Sequence, residues 1–261
     1  MNKLQLILLA GSVILVVVLY QLPRSVVEND QLQEVAEAPS HSLELPETVK
    51  NQLVTIRSSL QKEESFDKKI NFAHSLAKVY LNYGVLDSAV WYAEAIESWE
   101  SGSSLRAADI YFTAFERSPN QEEGLVYAEK ARRILQTLLD KDPEDLFLKN
   151  RLAMTLVASE NPMAGISMLR EIVAIDERNR QAILNLGLLS IQSGQFDRAK
   201  NRFEKLVSLD TTDHEAKLYL AVSLIELNEP SQASLLLEEI LASGDSIPAI
   251  KVMANDYLGA L

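Results

Sequence analysis

The chain has 261 residues, 47% of them hydrophobic, with 37 acidic against 25 basic residues and a formal net charge of −12. That balance, with no cluster of Lys or Arg, excludes the phosphate-neutralising surface that nucleic-acid binding requires. The absence of Cys removes disulfides, thiolate nucleophiles and thiolate metal sites.

Nine Gly and eight Pro in a chain rich in Leu, Ala, Glu and Lys favour long helices with short connections, and so an all-α protein. From Leu4 to Leu22 no residue is charged, and nineteen residues rise roughly 28 Å as a helix, close to the hydrocarbon thickness of a bilayer. A cleaved signal peptide has a shorter apolar region and a small-x-small site, whereas Tyr20-Gln21-Leu22-Pro23 follows here. Leu9-Ala10-Gly11 starts like a bacterial lipobox, but Ser12 stands where the acylated Cys would be. Residues 1–23 are therefore expected to be a transmembrane signal anchor. Lys3 and the α-amino group precede the span, while Arg24 and then Glu28 and Asp30 follow it. This slight bias, together with the general behaviour of N-terminal signal anchors, gives the expectation of an N-terminus inside and the remainder on the trans side, which is the periplasm if the source is a Gram-negative bacterium.

Residues 24–47 hold one basic residue (Arg24), six acidic ones (Glu28, Asp30, Glu34, Glu37, Glu44, Glu47) and two prolines, the composition of a flexible acidic linker. Val49, Leu53, Ile56 and Leu60 then recur at spacings that share one helical face. This predicts an amphipathic capping helix over 48–65.

Beyond it the chain repeats itself. Leu152, Leu186 and Leu220 stand 34 residues apart, and so do Ala153, Gly187 and Ala221. Gly165, Ala199 and Ala233 keep the same period, as do Leu156, Ser190 and Leu224, and Leu169, Phe203 and Leu237. Residues 180–213 give the fullest copy, with Leu186-Gly187, Gly194-Gln195-Phe196, Ala199, Phe203 and Leu209-Asp210. The pattern resembles the tetratricopeptide repeat, a unit of two antiparallel helices with small residues where they cross. Two less regular copies precede these three. One, at 70–101, carries Leu76-Ala77, Tyr80, Tyr83-Gly84, Ala89, Ala93 and Ile96. The other begins near Ser104 with Ala107-Ala108 and Tyr111, and ends with Ala131, Leu135, Leu138 and Pro143. About eleven extra residues around Arg117 to Gly124 in this second copy are expected to form a longer loop at Ser118-Pro119-Asn120. The resemblance implies a helical solenoid of about five helix pairs over 66–247. Ile250, Met253, Tyr257 and Leu258 line one side of a final helix over 248–261, which caps the solenoid.

Nothing in the chain has the spacing of a catalytic site. His41, His74 and His214 are far apart, and Glu122-Glu123 and Glu238-Glu239 read as solvated helix faces. Neither a cofactor, a metal nor a small-molecule substrate is expected. The resemblance instead implies a partner groove lined by the first helix of each repeat. Its positions fall on His74, Lys78 and Asn82 in the first repeat, Asn150, Met154 and Val157 in the third, Leu184, Leu188 and Ile191 in the fourth, and Leu218, Val222 and Ile225 in the fifth. An apolar far end of that size requires a cover, either a ligand helix or peptide or the chain's own C-terminal helix. The expected function is a membrane-anchored scaffold that binds protein partners, with a permanently assembled structural subunit as the alternative.

Overall fold

The computed structural model describes residues 45–99 and 104–261. The predicted anchor (1–23), all but the last residues of the acidic linker, and His41 lie outside the described residues. Among the described residues there are twelve helices, and none is long and apolar enough to cross a membrane.

Helix α1 (Glu47–Lys62) precedes five antiparallel pairs. These are α2 (Phe66–Asn82) with α3 (Leu86–Trp99), α4 (Leu105–Arg117) with α5 (Gln121–Leu139), α6 (Leu146–Val157) with α7 (Pro162–Ile175), α8 (Arg180–Gln192) with α9 (Phe196–Leu209), and α10 (His214–Glu226) with α11 (Pro230–Ala242). Helix α12 (Pro248–Gly259) follows. Each helix packs against the next, as the repeat pattern implies for an all-α solenoid.

The boundaries are written in side chains. Asp145, Asn179 and Asp213, again 34 residues apart, cap α6, α8 and α10: each side-chain oxygen accepts from backbone N–H groups of the first turn, at 2.8–3.0 Å for Asp145, 3.1 Å for Asn179 and 3.0 Å for Asp213. The turns inside the fourth and fifth pairs need a left-handed residue, supplied by Gly194 (φ 68°) and, one period on, by Asn228 (φ 59°). Pro162 and Pro230 open α7 and α11, where a missing N–H has no intrahelical partner to lose.

The second pair corrects the expectation of a longer loop. Its turn is only Ser118-Pro119-Asn120, and part of the additional length is helical: α5 has 19 residues where α7 and α9 have 14. The reason is local. Asn120 accepts from the N–H groups of Glu122 (2.9 Å) and Glu123 (3.4 Å), and those two carboxylates favour the positive end of the helix. Gly124 then continues the helix, buried beside Ser118.

Pairs interlock through small residues. A Cβ on Gly165 of α7 would meet the carbonyl oxygen of Ala153 and the backbone nitrogen of Val157 on α6, so the two backbones touch there. On Gly187 it would meet the ring of Phe203, which is fully buried between α8 and α9. The core runs the length of the stack. Tyr92, Tyr111, Ile134 and Leu152 belong to its N-terminal part, Leu169 and Leu186 to its middle, and Phe203, Leu218 and Leu237 to its C-terminal part. Helix α12 packs on α10 and α11 and so extends the stack, rather than folding back over α6 and α8.

Candidate partner-binding groove

The first helices of successive pairs also approach one another, α2 with α4, α6 with α8, α8 with α10 and α10 with α12. Helices α4 and α6 are the exception and come less close, where the long α5 lies between them in the chain. The gap opens a cavity of about 320 Å³ lined only by α4, α6, α8 and the Asn179 cap. It therefore sits on the face formed by the first helices of the pairs.

The walls are held by charge and by amides. Arg151 of α6 crosses to α4, where its Nη2 lies 2.6 Å from Asp109 Oδ1. Its guanidinium packs against two rings, 4.9 Å from the centroid of Phe112 and 4.5 Å from that of Phe147. Asp109 Oδ2 also meets His74 Nε2 of α2 at 3.1 Å. On the other wall, Gln181 Nε2 donates to Asn185 Oδ1 (3.3 Å), and Asn185 Nδ2 donates to Asn150 Oδ1 (2.9 Å). The series ends in an open donor. Asn150 is only 4% exposed, yet its Nδ2 finds no acceptor among the described residues, and neither does Nη1 of Arg151. A buried donor left without a partner costs about 1–3 kcal/mol, so two of them beside one cavity need an explanation.

His74 and then Arg151 hold the Asp109 carboxyl down to about 2, against the opposite effect of its burial. Because the folded value lies below the ordinary 3.8, the ionised group stabilises the fold above that value, and the contribution fades as the pH falls towards about 2. Asp109→Asn is therefore expected to lower stability at pH 7 by at most about 2 kcal/mol. In urea titrations, the gap between the two midpoints should hold from pH 7 to about 4 and close between about 4 and about 2. Asp213 is lowered as well: burial raises it, but the Arg180 guanidinium (2.7 and 2.9 Å) and the N–H of Ala216 outweigh that.

The predicted groove positions divide into three groups. His74, Lys78 and Asn82 lie along α2, with His74 on Asp109, Lys78 exposed, and Asn82 beside Arg117, whose Nη1 donates to the Leu81 carbonyl at 2.8 Å. Asn150 lines the cavity, and Met154 is partly buried against the neighbouring core. In the third group two positions require correction. Leu184 (4% exposed) and Leu218 (1% exposed) are core residues, because the tight stacking of α8 and α10 closes over them. Val157 lies at the α6–α7 crossing beside Gly165. Leu188, Ile191 and Ile225 are partly buried against the C-terminal core, and Val222 is partly buried on α10.

Asp109, Phe112, Glu116, Phe147, Arg151, Gln181 and Asn185 were not identified from sequence. The first three fall in the irregular second repeat, onto which no groove register was carried. The available signal was the aromatic and charged spacing of Phe112, Glu116, Phe147 and Arg151 on two adjacent first helices.

Residues 190–254 match the family model described as tetratricopeptide repeat. That part of the chain carries the tetratricopeptide repeat. Its fold resembles that of a tetratricopeptide repeat protein from Parabacteroides merdae ATCC 43184, with a TM-score of 0.58 at 14% identity over 79% of this chain and 78% of the other. It also resembles a thermophilic TPR protein from Thermus thermophilus, with a TM-score of 0.54 at 18% identity over 72% of this chain and 98% of the other. No curated protein matches the chain. At these identities the structural likeness speaks to fold alone.

Proposed function

We propose that this chain is a tetratricopeptide-repeat scaffold that holds a segment of a protein partner along the first-helix face. We propose further that residues 4–22 anchor it in a bacterial inner membrane with the repeats in the periplasm. The observation that carries the scaffold reading is the cavity between α4, α6 and α8. There an exposed aromatic, Phe147, lines the cavity together with Asn150 and Arg151, on the face built by the first helices of the pairs. The uncharged stretch from Leu4 to Leu22 supports the anchor.

One preparation tests both parts. The full-length protein should remain with membranes through an alkaline wash and, when purified in mild detergent, should bring down a defined partner. Phe147→Glu changes a side chain that is 54% exposed, so the fold should be kept while at least tenfold of the partner yield is lost. Release by the wash would remove the anchor from the proposal, and unchanged partner recovery in the variant would remove this face from it.

A further inference from the structure

We infer that Arg170 of α7 and Arg198 and Arg202 of α9 form a binding site for a phosphate-class dianion, carried on the second helices of the third and fourth pairs. Arg198 and Arg202 stand one turn apart on α9, so their side chains share a face. Arg202 is held in place: its Nη1 donates to the Leu186 carbonyl oxygen (3.3 Å) and to Ser190 Oγ, both on α8. Arg170 reaches the same neighbourhood through the core, because Leu169, the residue before it, packs with Leu186. Burial lowers the Arg202 value, and the charges of Arg170 and Arg198 lower it further. Arg170 and Arg198 are exposed, and Arg202 is half-buried.

Three cations gathered without an acid are an exception in a chain of net charge −12. Among the described residues none of the three takes part in an ion pair. The acids on the same helices are spaced away from them: Glu171 follows Arg170 directly, Asp197 precedes Arg198, and Glu204 is two residues from Arg202, separations at which helical side chains do not face each other. Asp197 and Glu204 instead flank Lys200, whose Nζ lies 2.9 Å from Glu229. The donor set selects the ligand. Each guanidinium is a planar fork of five N–H donors, and only one nitrogen of Arg198 (to Gln195 Oε1) and one of Arg202 are engaged. A carboxylate brings two oxygens and one charge and would leave the cluster cationic. A phosphate monoester brings three terminal oxygens and a charge of roughly −1.5 to −2. Free phosphate and the headgroup of phosphatidic acid share that chemistry.

Calorimetric titration of the full chain in mild detergent with inorganic phosphate, at fixed ionic strength, should show saturable binding. Arg170→Gln and Arg198→Gln, both at exposed positions, should each weaken it at least about tenfold, the loss of one charge-assisted donor set. Arg170→Lys keeps the charge but not the fork and should fall between the parent and Arg170→Gln. In the absence of phosphate the two Gln variants should melt no lower than the parent, because each relieves a contact between like charges; an arginine that served only to hold the fold would lower the melt. Phosphatidic acid doped into the micelles separates the two sources. Competition with phosphate that disappears in the variants assigns the site to a lipid headgroup, and phosphate binding without such competition assigns it to a soluble phosphate. The inference is overturned if neither probe binds saturably, if binding is undiminished in both Gln variants, if both variants melt below the parent, or if a poly-glutamate peptide competes as well as phosphate does.

Discussion

Gly165→Ala is expected to destabilise the chain by roughly 2–4 kcal/mol, the cost of forcing apart a packed contact. Helix propensity alone points the other way: replacing a helical glycine by alanine favours the helix by about 1 kcal/mol. Sterics decide the sign. The added Cβ would meet the carbonyl oxygen of Ala153 and lie 2.7 Å from the nitrogen of Val157, and both are backbone atoms of α6 with no rotamer to yield. Gly187 makes the contrast, because a Cβ there would meet the Phe203 ring, which can tilt at some expense to its stacking on Tyr219, 5.6 Å away. Gly244→Ala, in open space, should change little. Thermal melts of the three variants followed by circular dichroism should rank them Gly165, Gly187, Gly244. Hydrogen exchange should locate the Gly165 defect in α6 and α7, since repeat arrays depend on nearest-neighbour contacts.

The same contacts explain what was legible in the sequence. A 34-residue period in Leu152, Leu186 and Leu220 survives because each repeat buries the same position against the same neighbour. Small residues at Ala153, Gly187 and Ala221 mark places where only a small side chain fits, and all three are buried. The second repeat was misread for an equally physical reason. Ser118-Pro119-Asn120 is a turn signal whether a long loop or a new helix follows, and what decides is whether Asn120 can cap. With Glu122 and Glu123 in the first turn it does, and α5 grows. The cavity was not legible because it depends on that growth: the wider approach of α4 and α6 is a property of the stack, and no residue taken singly announces it. The groove positions failed at Leu184 and Leu218 because the family register assigns a face of the first helix but not how far the neighbouring helix closes over it.

That last distinction gives the second large effect. Leu218→Asp is expected to cost more than about 4 kcal/mol, because it both removes a packed side chain and leaves a carboxylate in the core. Leu218 is 1% exposed within the C-terminal core, alongside Phe203, Leu206 and Leu237. Val222→Asp, one turn along the same helix at a partly exposed position, should cost far less. If both positions faced a groove, as the register implies, the two variants would retain similar helical content, so the pair separates core from groove without knowledge of any partner. The defect should be confined to α8–α12, with exchange protection retained in α2–α5, whose core contains none of these residues. It should also be pH-dependent in a defined direction. Burial raises the carboxyl value of the new Asp in the folded state, so the native form binds a proton more readily than the unfolded form. The destabilisation is then largest at neutral pH and shrinks as the pH falls through the raised value. Asp109→Asn behaves in the opposite sense to a buried new carboxylate: its native group is held below 3.8, and acid removes a stabilising interaction there instead of relieving a destabilising one. A Leu218→Asp protein that recovers helical signal between pH 7 and pH 5, while the parent chain does not, would identify the carboxylate itself as the cause, since a cavity alone has no proton to bind.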